Sequence, residues 1–486
     1  MKAQIKEQIP RLRCAALGMT VLAAVFSVCL VNAASADLAK RIDGIISQSS
    51  QKKVQFSIHI VKADTGKTVY SHNAGKALSP ASNMKIIITA AALKYLGPNY
   101  EYKTKVGLWD TYGTSDILVI MGSGDPLLGD KVTDAKYGRK GSWIFEDITA
   151  VLKRNGITAI KDIIVDSSVF DDERVHPNWP KKELNRRYAC EVSGLNFNGN
   201  CIEVSAKTIG GKVAVSIEPE TDFIKVTNKV VAIQKGKSTV GSYRQAAKPN
   251  NIVVHGKCKK QVGPFAVAIE RPAAFFGYFL AENLLKAGVN TEGELIEKSV
   301  GADGNVRVLA EYSTPMADCL ARCNKDSFGL AAEALLKTIA GRVAPDGKNG
   351  SWAGGRELIS QYLLELGIDG KEFYIDDGSG LSKQNKLSAN AITKVLFNVY
   401  KSKDWKLYKD SLAVGGVDGT IGKYFKEEKY KGKIFGKTGY IGGVKSFSGI
   451  CITVGGDYIF SILANNATGQ TRKAINDIAK AIVDSE

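Results

Sequence analysis

Histidine, cysteine and proline are scarce in this chain. Its 486 residues include four histidines, eight cysteines and twelve prolines. None of His59, His72, His176 and His255 lies in a recognisable catalytic setting, and no cluster has metal-ligand spacing. A Ser-His-Asp triad and a zinc site are therefore without support, and a hydrolase built on this chain needs another base. Twelve prolines against 49 glycines exclude a collagen-like chain, and a hydrophobic content of 44% excludes disorder. No short-period repeat or cofactor motif is present, so no cofactor is expected. At about 100–200 residues per domain, the length suggests two to four domains.

There is one long apolar run, from Cys14 to Val31. Lys2, Lys6, Arg11 and Arg13 precede it, and Ala34-Ser35-Ala36 offers small residues for cleavage before Asp37, so residues 1–36 read as a secretory signal peptide. A retained anchor is the alternative, because the run nears the length of a spanning helix. Phe26-Ser27-Val28 puts no small residue directly before Cys29, which argues against a lipoprotein. The expected location is the periplasm or cell envelope.

Residues 1–36 carry four basic side chains against one acid, so loss of the signal lowers the net charge from +17 to +14. Lysine is dispersed throughout, which reads as a solvated surface rather than a nucleic-acid site. Contact with an anionic polymer or a membrane surface is the alternative. Six cysteines remain, too few for a disulfide scaffold in a compartment that permits bridges. Cys190 and Cys201 flank a short segment and could close one bridge. Cys319 and Cys323 lie four apart on an expected helix and read as buried thiols.

Periodicity predicts helices near 37–46, 82–96, 273–287, 315–323, 330–339, 354–366, 389–400 and 471–483. Strands are expected at 54–61 and 68–71, and consecutively over 433–465. Between 101 and 301 short β-like runs dominate, at 117–121, 163–165, 213–217 and 252–254. The expected organisation is a discontinuous α/β domain of 37–100 plus 302–486, holding a mainly β insert of 101–301 with two subdomains.

A lysine can replace histidine as a base if a desolvated or cation-rich site lowers its pKa. Serine and lysine three apart at a helix start share one face, near the positive end of the helix. Ser82-Asn83-Met84-Lys85 fits, with an apolar helix directly behind it. Ser49/Lys52 and Ser50/Lys53 match the spacing but lie in a polar linker. A plain capping serine is the other reading of Ser82. Lys437-Thr438-Gly439 lies between strand-like runs, where a side-chain-free glycine lets an extended peptide approach; a tight turn is the alternative. Asn324-Lys325-Asp326-Ser327-Phe328-Gly329 connects two helices and offers a second hydroxyl and cation, or a helix cap.

In this order the three elements resemble the signature of the penicillin-interacting serine enzymes. More of the chain is similar to one branch, the type-4 penicillin-binding proteins, which are D-alanyl-D-alanine carboxypeptidases and endopeptidases. The likeness rests on Ser79-Pro80-Ala81-Ser82-Asn83-Met84-Lys85, Gly122-Ser123-Gly124-Asp125-Pro126 and Ile164-Val165-Asp166-Ser167. It continues through Ser193-Gly194-Leu195-Asn196-Phe197-Asn198-Gly199-Asn200-Cys201 and Asp377-Gly378-Ser379-Gly380-Leu381-Ser382. Gly416-Val417-Asp418-Gly419-Thr420 and Lys437-Thr438-Gly439 complete it.

The resemblance implies an antiparallel sheet with helices on its faces, as in penicillin-binding proteins and β-lactamases. It implies peptidoglycan stem peptides as substrate and β-lactams as covalent inhibitors. Ser82 would be the nucleophile, Lys85 its base and Ser327 a proton relay. Lys437, Thr438 and Gly439 would hold the substrate, Tyr440 and Ser82 would supply oxyanion N–H groups, and Lys325 would be an extra cation that keeps Lys85 neutral. The acids Asp171, Asp172 and Glu173 read as a surface turn, or as a contact for a cationic stem side chain. Two departures stand out. Ser327-Phe328-Gly329 lacks the usual terminal Asn, and Tyr440 stands where a small hydroxyl residue is usual. The first raises the alternative of a wall-binding pseudo-enzyme; a β-lactamase is a further alternative, which the long insert argues against.

Overall fold

The structure is a computed structural model that describes residues 36–111, 114–245, 247–301, 305–343 and 349–485. The expected secretory segment lies outside the described residues except for Ala36, which opens a helix over 36–46. No helix among the described residues is long and apolar enough to cross a membrane.

Six strands form the sheet on which the site is built. Their order is Ala413–Val414, Ile434–Ile441, Val444–Cys451, Tyr458–Asn465, Gln55–Lys62 and Thr68–His72, and all neighbours are antiparallel. The two middle strands, Val444–Cys451 and Tyr458–Asn465, are buried along nearly their whole length. That follows from helices on both faces. On one face Leu38 and Ile42 of the first helix and Ile475, Ile478 and Ile482 of the last, Thr471–Asp484, meet Phe56, Ile58, Ile60, Phe460 and Ile462.

On the other face Val61, Ile450, Ile459 and Leu463 join a larger core of helices. At its centre is Met84–Tyr95, buried from Met84 through Leu93. An apolar run with no polar face has no surface to offer water, so it becomes an interior helix. Met316–Lys325, Gly329–Val343, Trp352–Glu365 and Ala389–Tyr400 surround it. Each fully buried isoleucine there contributes about 1.5–3 kcal/mol.

The chain between these parts forms a second α/β unit. Its five-stranded sheet has the order Leu295–Glu297, Asp162–Asp166, Thr114–Met121, Glu101–Thr111 and Val306–Pro315. The first three are parallel, and Ile163, Ile164 and Val165 are buried, as expected of a strand covered on both faces. Two three-stranded sheets and a parallel pair, Ala159–Ile160 with Asn290–Thr291, complete the insert. One sheet is ordered Gly241–Arg244, Asn251–Cys258, Lys225–Ala232; the other is Gln261–Ala268, Cys201–Ile209, Lys212–Glu218.

Three features differ from the sequence reading. Val306–Pro315 lies beyond the expected boundary at 302, yet pairs along its length with Glu101–Thr111, because the insert closes its sheet with the returning chain. Helix Trp143–Arg154 stands where β-like runs were expected; its buried Ile144, Phe145, Ile148, Val151 and Leu152 follow a helical period. The short helix Trp405–Ser411 was also not foreseen.

Candidate active site

Ser82 sits in a single 3-10 turn, Ala81–Asn83, that feeds the buried helix Met84–Tyr95. Two contacts to strand Val444–Cys451 pin this turn. Ser446 Oγ donates to the Pro80 carbonyl at 2.7 Å, and Asn83 Nδ2 donates to Ser448 Oγ at 2.6 Å. Two glycines make the close approach possible. A Cβ on Gly380 would lie 1.9 Å from the Ala81 carbonyl oxygen, and one on Gly439 would lie 2.8 Å from the Pro80 carbonyl oxygen and 3.0 Å from Ser82 N. Ala81 itself has φ 46°, a left-handed conformation that a non-glycine residue holds only when its surroundings enforce it.

One helical turn on, Lys85 is 1% exposed. Its Nζ lies 3.2 Å from Ser82 Oγ and donates to the Ser379 carbonyl at 2.5 Å. Burial pushes this amine below the ordinary lysine range, against the opposing pull of Cys323, Glu333 and Asp377. Lys437 is fully buried and is driven well below that range by burial and then by the charge of Lys85. Its Nζ donates to Ser327 Oγ at 2.8 Å and to the Thr438 carbonyl at 2.6 Å. Ser327 holds φ 60° between helices Met316–Lys325 and Gly329–Val343, which turns its hydroxyl toward Lys437.

Ser82, Lys85, Ser327 and Tyr440 line one cleft of about 540 Å³. Thr438 follows Lys437 on strand Ile434–Ile441, and its Oγ1 donates to Thr420 Oγ1 at 3.0 Å. The Tyr440 side chain is 70% exposed at the rim. Of the residues singled out in the sequence, Ser82, Lys85, Ser327, Lys437, Thr438, Gly439 and Tyr440 are thus brought together. Lys325 is not: its amine pairs with Asp418, and the lysine beside Lys85 is Lys437. Cys190 and Cys201 form no bridge and stand as free, buried thiols. Asp171 is paired with the buried Lys337 at 2.6 Å, so it faces no incoming cation.

Gly329 stands at the position of the usual asparagine. A Cβ there would lie 3.3 Å from the Tyr188 carbonyl oxygen and 3.7 Å from Ser379 Cβ. Gly329 itself faces the cleft, flanked by the insert at Tyr188 and by the Ser379 loop, whose carbonyl accepts the hydrogen bond from Lys85. Glu333 fixes that loop. Its carboxylate accepts from Ser379 N at 2.7 Å, from Gly378 N at 2.9 Å and from Trp352 Nε1 at 2.9 Å. Burial, with Asp377 nearby, raises the Glu333 carboxyl to about 7. Sequence reasoning passed over Glu333, although a lone acid on the apolar run 330–336 was a signal. It also gave no role to Glu183, Tyr188 and Lys383, which line the cleft.

An antiparallel sheet with helices on both faces, and a cleft that joins one serine to two buried lysines, are the marks of the penicillin-interacting serine enzymes. Within that class the chain belongs to the D-Ala-D-Ala carboxypeptidase 3 (S13) family, which it matches over residues 38–485. A D-alanyl-D-alanine carboxypeptidase from an Actinomadura species is 27% identical over 485 residues, covering 95% of this chain and 87% of the relative. The D-alanyl-D-alanine carboxypeptidase DacB of Haemophilus influenzae is 23% identical over 404 residues, covering 80% of this chain and 81% of the relative. The crystal structure of penicillin binding protein 4 from Haemophilus influenzae has the same fold, with a TM-score of 0.76 at 21% identity, covering 93% of this chain and 98% of that one.

Proposed function

We propose that this chain is a serine D,D-peptidase of the cell envelope that cleaves D-alanyl-D-alanine ends of peptidoglycan stem peptides and is acylated by β-lactams. The observation that carries this reading is Lys85, a buried amine 3.2 Å from the Ser82 hydroxyl and anchored by the Ser379 carbonyl. Family membership supports the substrate, and the secretory reading of residues 1–36 supports the location.

Ser82 Oγ attacks the carbonyl between two D-alanines while neutral Lys85 takes its proton. The backbone N–H groups of Ser82 and Tyr440 stabilise the oxyanion. One such donor is worth about 3–4 kcal/mol, and a backbone group is indifferent to the tyrosine side chain. The amide C–N bond then breaks, and Ser327 relays the proton to the leaving amine. Water hydrolyses the ester and restores the serine, so peptide and water give two shorter products. Lys437 is turned inward. It orients Ser327 through the hydrogen bond to its hydroxyl, and contact with the terminal carboxylate falls to the Thr438 hydroxyl.

Fluorescent penicillin should label the wild-type protein covalently and leave Ser82→Ala unlabelled. Mass spectrometry of treated muropeptides should show loss of one terminal D-alanine. Label that persists in Ser82→Ala, or a folded wild type that takes none, overturns the proposal.

A further inference from the structure

Ser327 relays the proton, yet its own conformation does not keep it in place. Its φ of 60° lies in the left-handed region, which a serine holds only when its surroundings enforce it. Before it stand the last turn of helix Met316–Lys325 and then Asp326. After it stand Phe328 and then Gly329, which offers no side chain. Restraint from this second side therefore falls on Phe328. Its ring is only 4% exposed, although it lies in the short connection between two helices.

The insert supplies much of what surrounds that ring. The Arg187 guanidinium lies over it with Cζ 4.9 Å from the ring centre, and the Arg322 guanidinium with Cζ 5.0 Å. A cation over an aromatic face is attracted by the ring's negative potential. Both arginines are also tethered to Asp130 of the insert, Arg322 through two hydrogen bonds of 2.7 Å and Arg187 at 3.5 Å. The tip of the ring meets the insert at Gly199, where a Cβ would lie 3.2 Å from Phe328 Cζ. The main chain adds one more restraint, since Phe328 N donates to the Arg322 carbonyl at 3.1 Å. A ring gripped in this way fixes the backbone next to Ser327. It thereby sets the direction of the hydroxyl that accepts from Lys437 Nζ at 2.8 Å. Lys85 is held separately, by its contacts with Ser82 and the Ser379 carbonyl, and neither runs through Phe328.

We infer that Phe328 is a positioning residue for Ser327: its ring, seated against the insert beneath two arginines, sets the relay hydroxyl, so the insert governs proton transfer to the leaving group. This inference rests on the serine D,D-peptidase reading and deepens it. The balance of the step shows where the effect must fall. Ser82 Oγ bonds to the carbonyl carbon and Lys85 takes the hydroxyl proton. The C–N bond then breaks as the nitrogen receives a proton through Ser327. An amide nitrogen needs that proton in order to leave. A thiolate does not, because an ordinary thiol has a pKa of about 8.5. A displaced Ser327 therefore slows cleavage of an amide and spares a thiolester.

The test uses two substrates with the same acyl peptide, one ending in D-alanyl-D-alanine and one with sulfur in place of the scissile nitrogen. Penicillin titration to completion counts active sites, so partial misfolding is corrected for. Phe328→Ala should lower kcat/KM for the amide about a hundredfold, the scale of a reacting group displaced by about an ångström, and leave the thiolester within about threefold of wild type. Ser327→Ala should show the same selectivity. Adding Phe328→Ala to it should cost nothing further, because residues that act through one group are not additive. Phe328→Leu keeps apolar bulk but offers the guanidinium groups no aromatic face. It should lose about tenfold on the amide alone, and it carries the comparison if Phe328→Ala does not fold. An equal loss on both substrates, no loss on the amide, or a loss undiminished in the Ser327→Ala background overturns the inference and leaves the peptidase reading standing. A folded wild type that takes no label and cleaves neither substrate overturns the underlying reading instead.

Discussion

Lys85 is an amine in a place where charge is costly. Burial lowers its pKa, and the neutral form that burial favours is the form able to take a proton from Ser82. The sign follows directly. Protonated Lys85 cannot act as base, so penicillin acylation should rise with pH and level off at a midpoint below the ordinary lysine value. A stopped-flow labelling profile that is flat or falls with pH contradicts this. Lys85→Arg, which stays charged at every accessible pH, should abolish labelling throughout while circular dichroism remains native. The Ser-x-x-Lys spacing was legible because an apolar run stood behind it, which the copies at Ser49 and Ser50 lacked. Lys325 was misread because sequence proximity to Ser327 says nothing of side-chain direction, and its amine turns to Asp418. The Ser379 carbonyl could not be read at all, since a main-chain acceptor carries no residue signature.

At the scale of elements, the site is the meeting of a 3-10 turn and a strand edge. Strand Ile434–Ile441 comes close enough to Ser82 that a methyl group on Gly439 would sit 2.1 Å from Ser446 Oγ and within 3.0 Å of Ser82 N. Gly439→Ala must therefore widen the gap between turn and strand. The expected outcome is a folded protein whose acylation rate falls about a hundredfold, the usual consequence of misplacing reacting groups by about an ångström. Thermal melting together with labelling kinetics checks it, and an unimpaired rate contradicts it. Helices with an apolar period, such as Ala389–Tyr400 and Thr471–Asp484, were legible to within a few residues. Trp143–Arg154 carried the same signal and was missed amid the strand-like runs around it. The strand order could not be read, because Gln55–Lys62 finds its partner Tyr458–Asn465 some four hundred residues away.

At the scale of the molecule, the insert is fastened to the catalytic body at the cleft itself. Arg322 on helix Met316–Lys325 donates through Nε and Nη2 to Asp130 of the insert, both at 2.7 Å. Trp179 Nε1 donates to Asp377 at 2.8 Å, and Asn178 Nδ2 to Asp376 at 3.0 Å, which ties the wall that carries Glu183 and Tyr188 to the Ser379 loop. Removing Asp130 takes from the buried Arg322 its two-pronged partner, leaving it Asp326 alone, and also strips the cap of helix Lys131–Lys136. Asp130→Ala should cost about 3–5 kcal/mol in urea unfolding. A cost under about 1 kcal/mol would show that the pair is not holding the insert in place. A basic residue and an acid nearly two hundred positions apart gave no hint of each other in the sequence. The order of the six-stranded sheet also has a temporal consequence. The strand bearing Lys437 is tied to the first strand of the fold only through Val444–Cys451 and Tyr458–Asn465, so both must be present before the hydroxyl at position 82 acquires its neighbours. A chain emerging amino end first therefore stays chemically silent until its final stretch arrives, and a prematurely terminated product would be harmless to the wall around it.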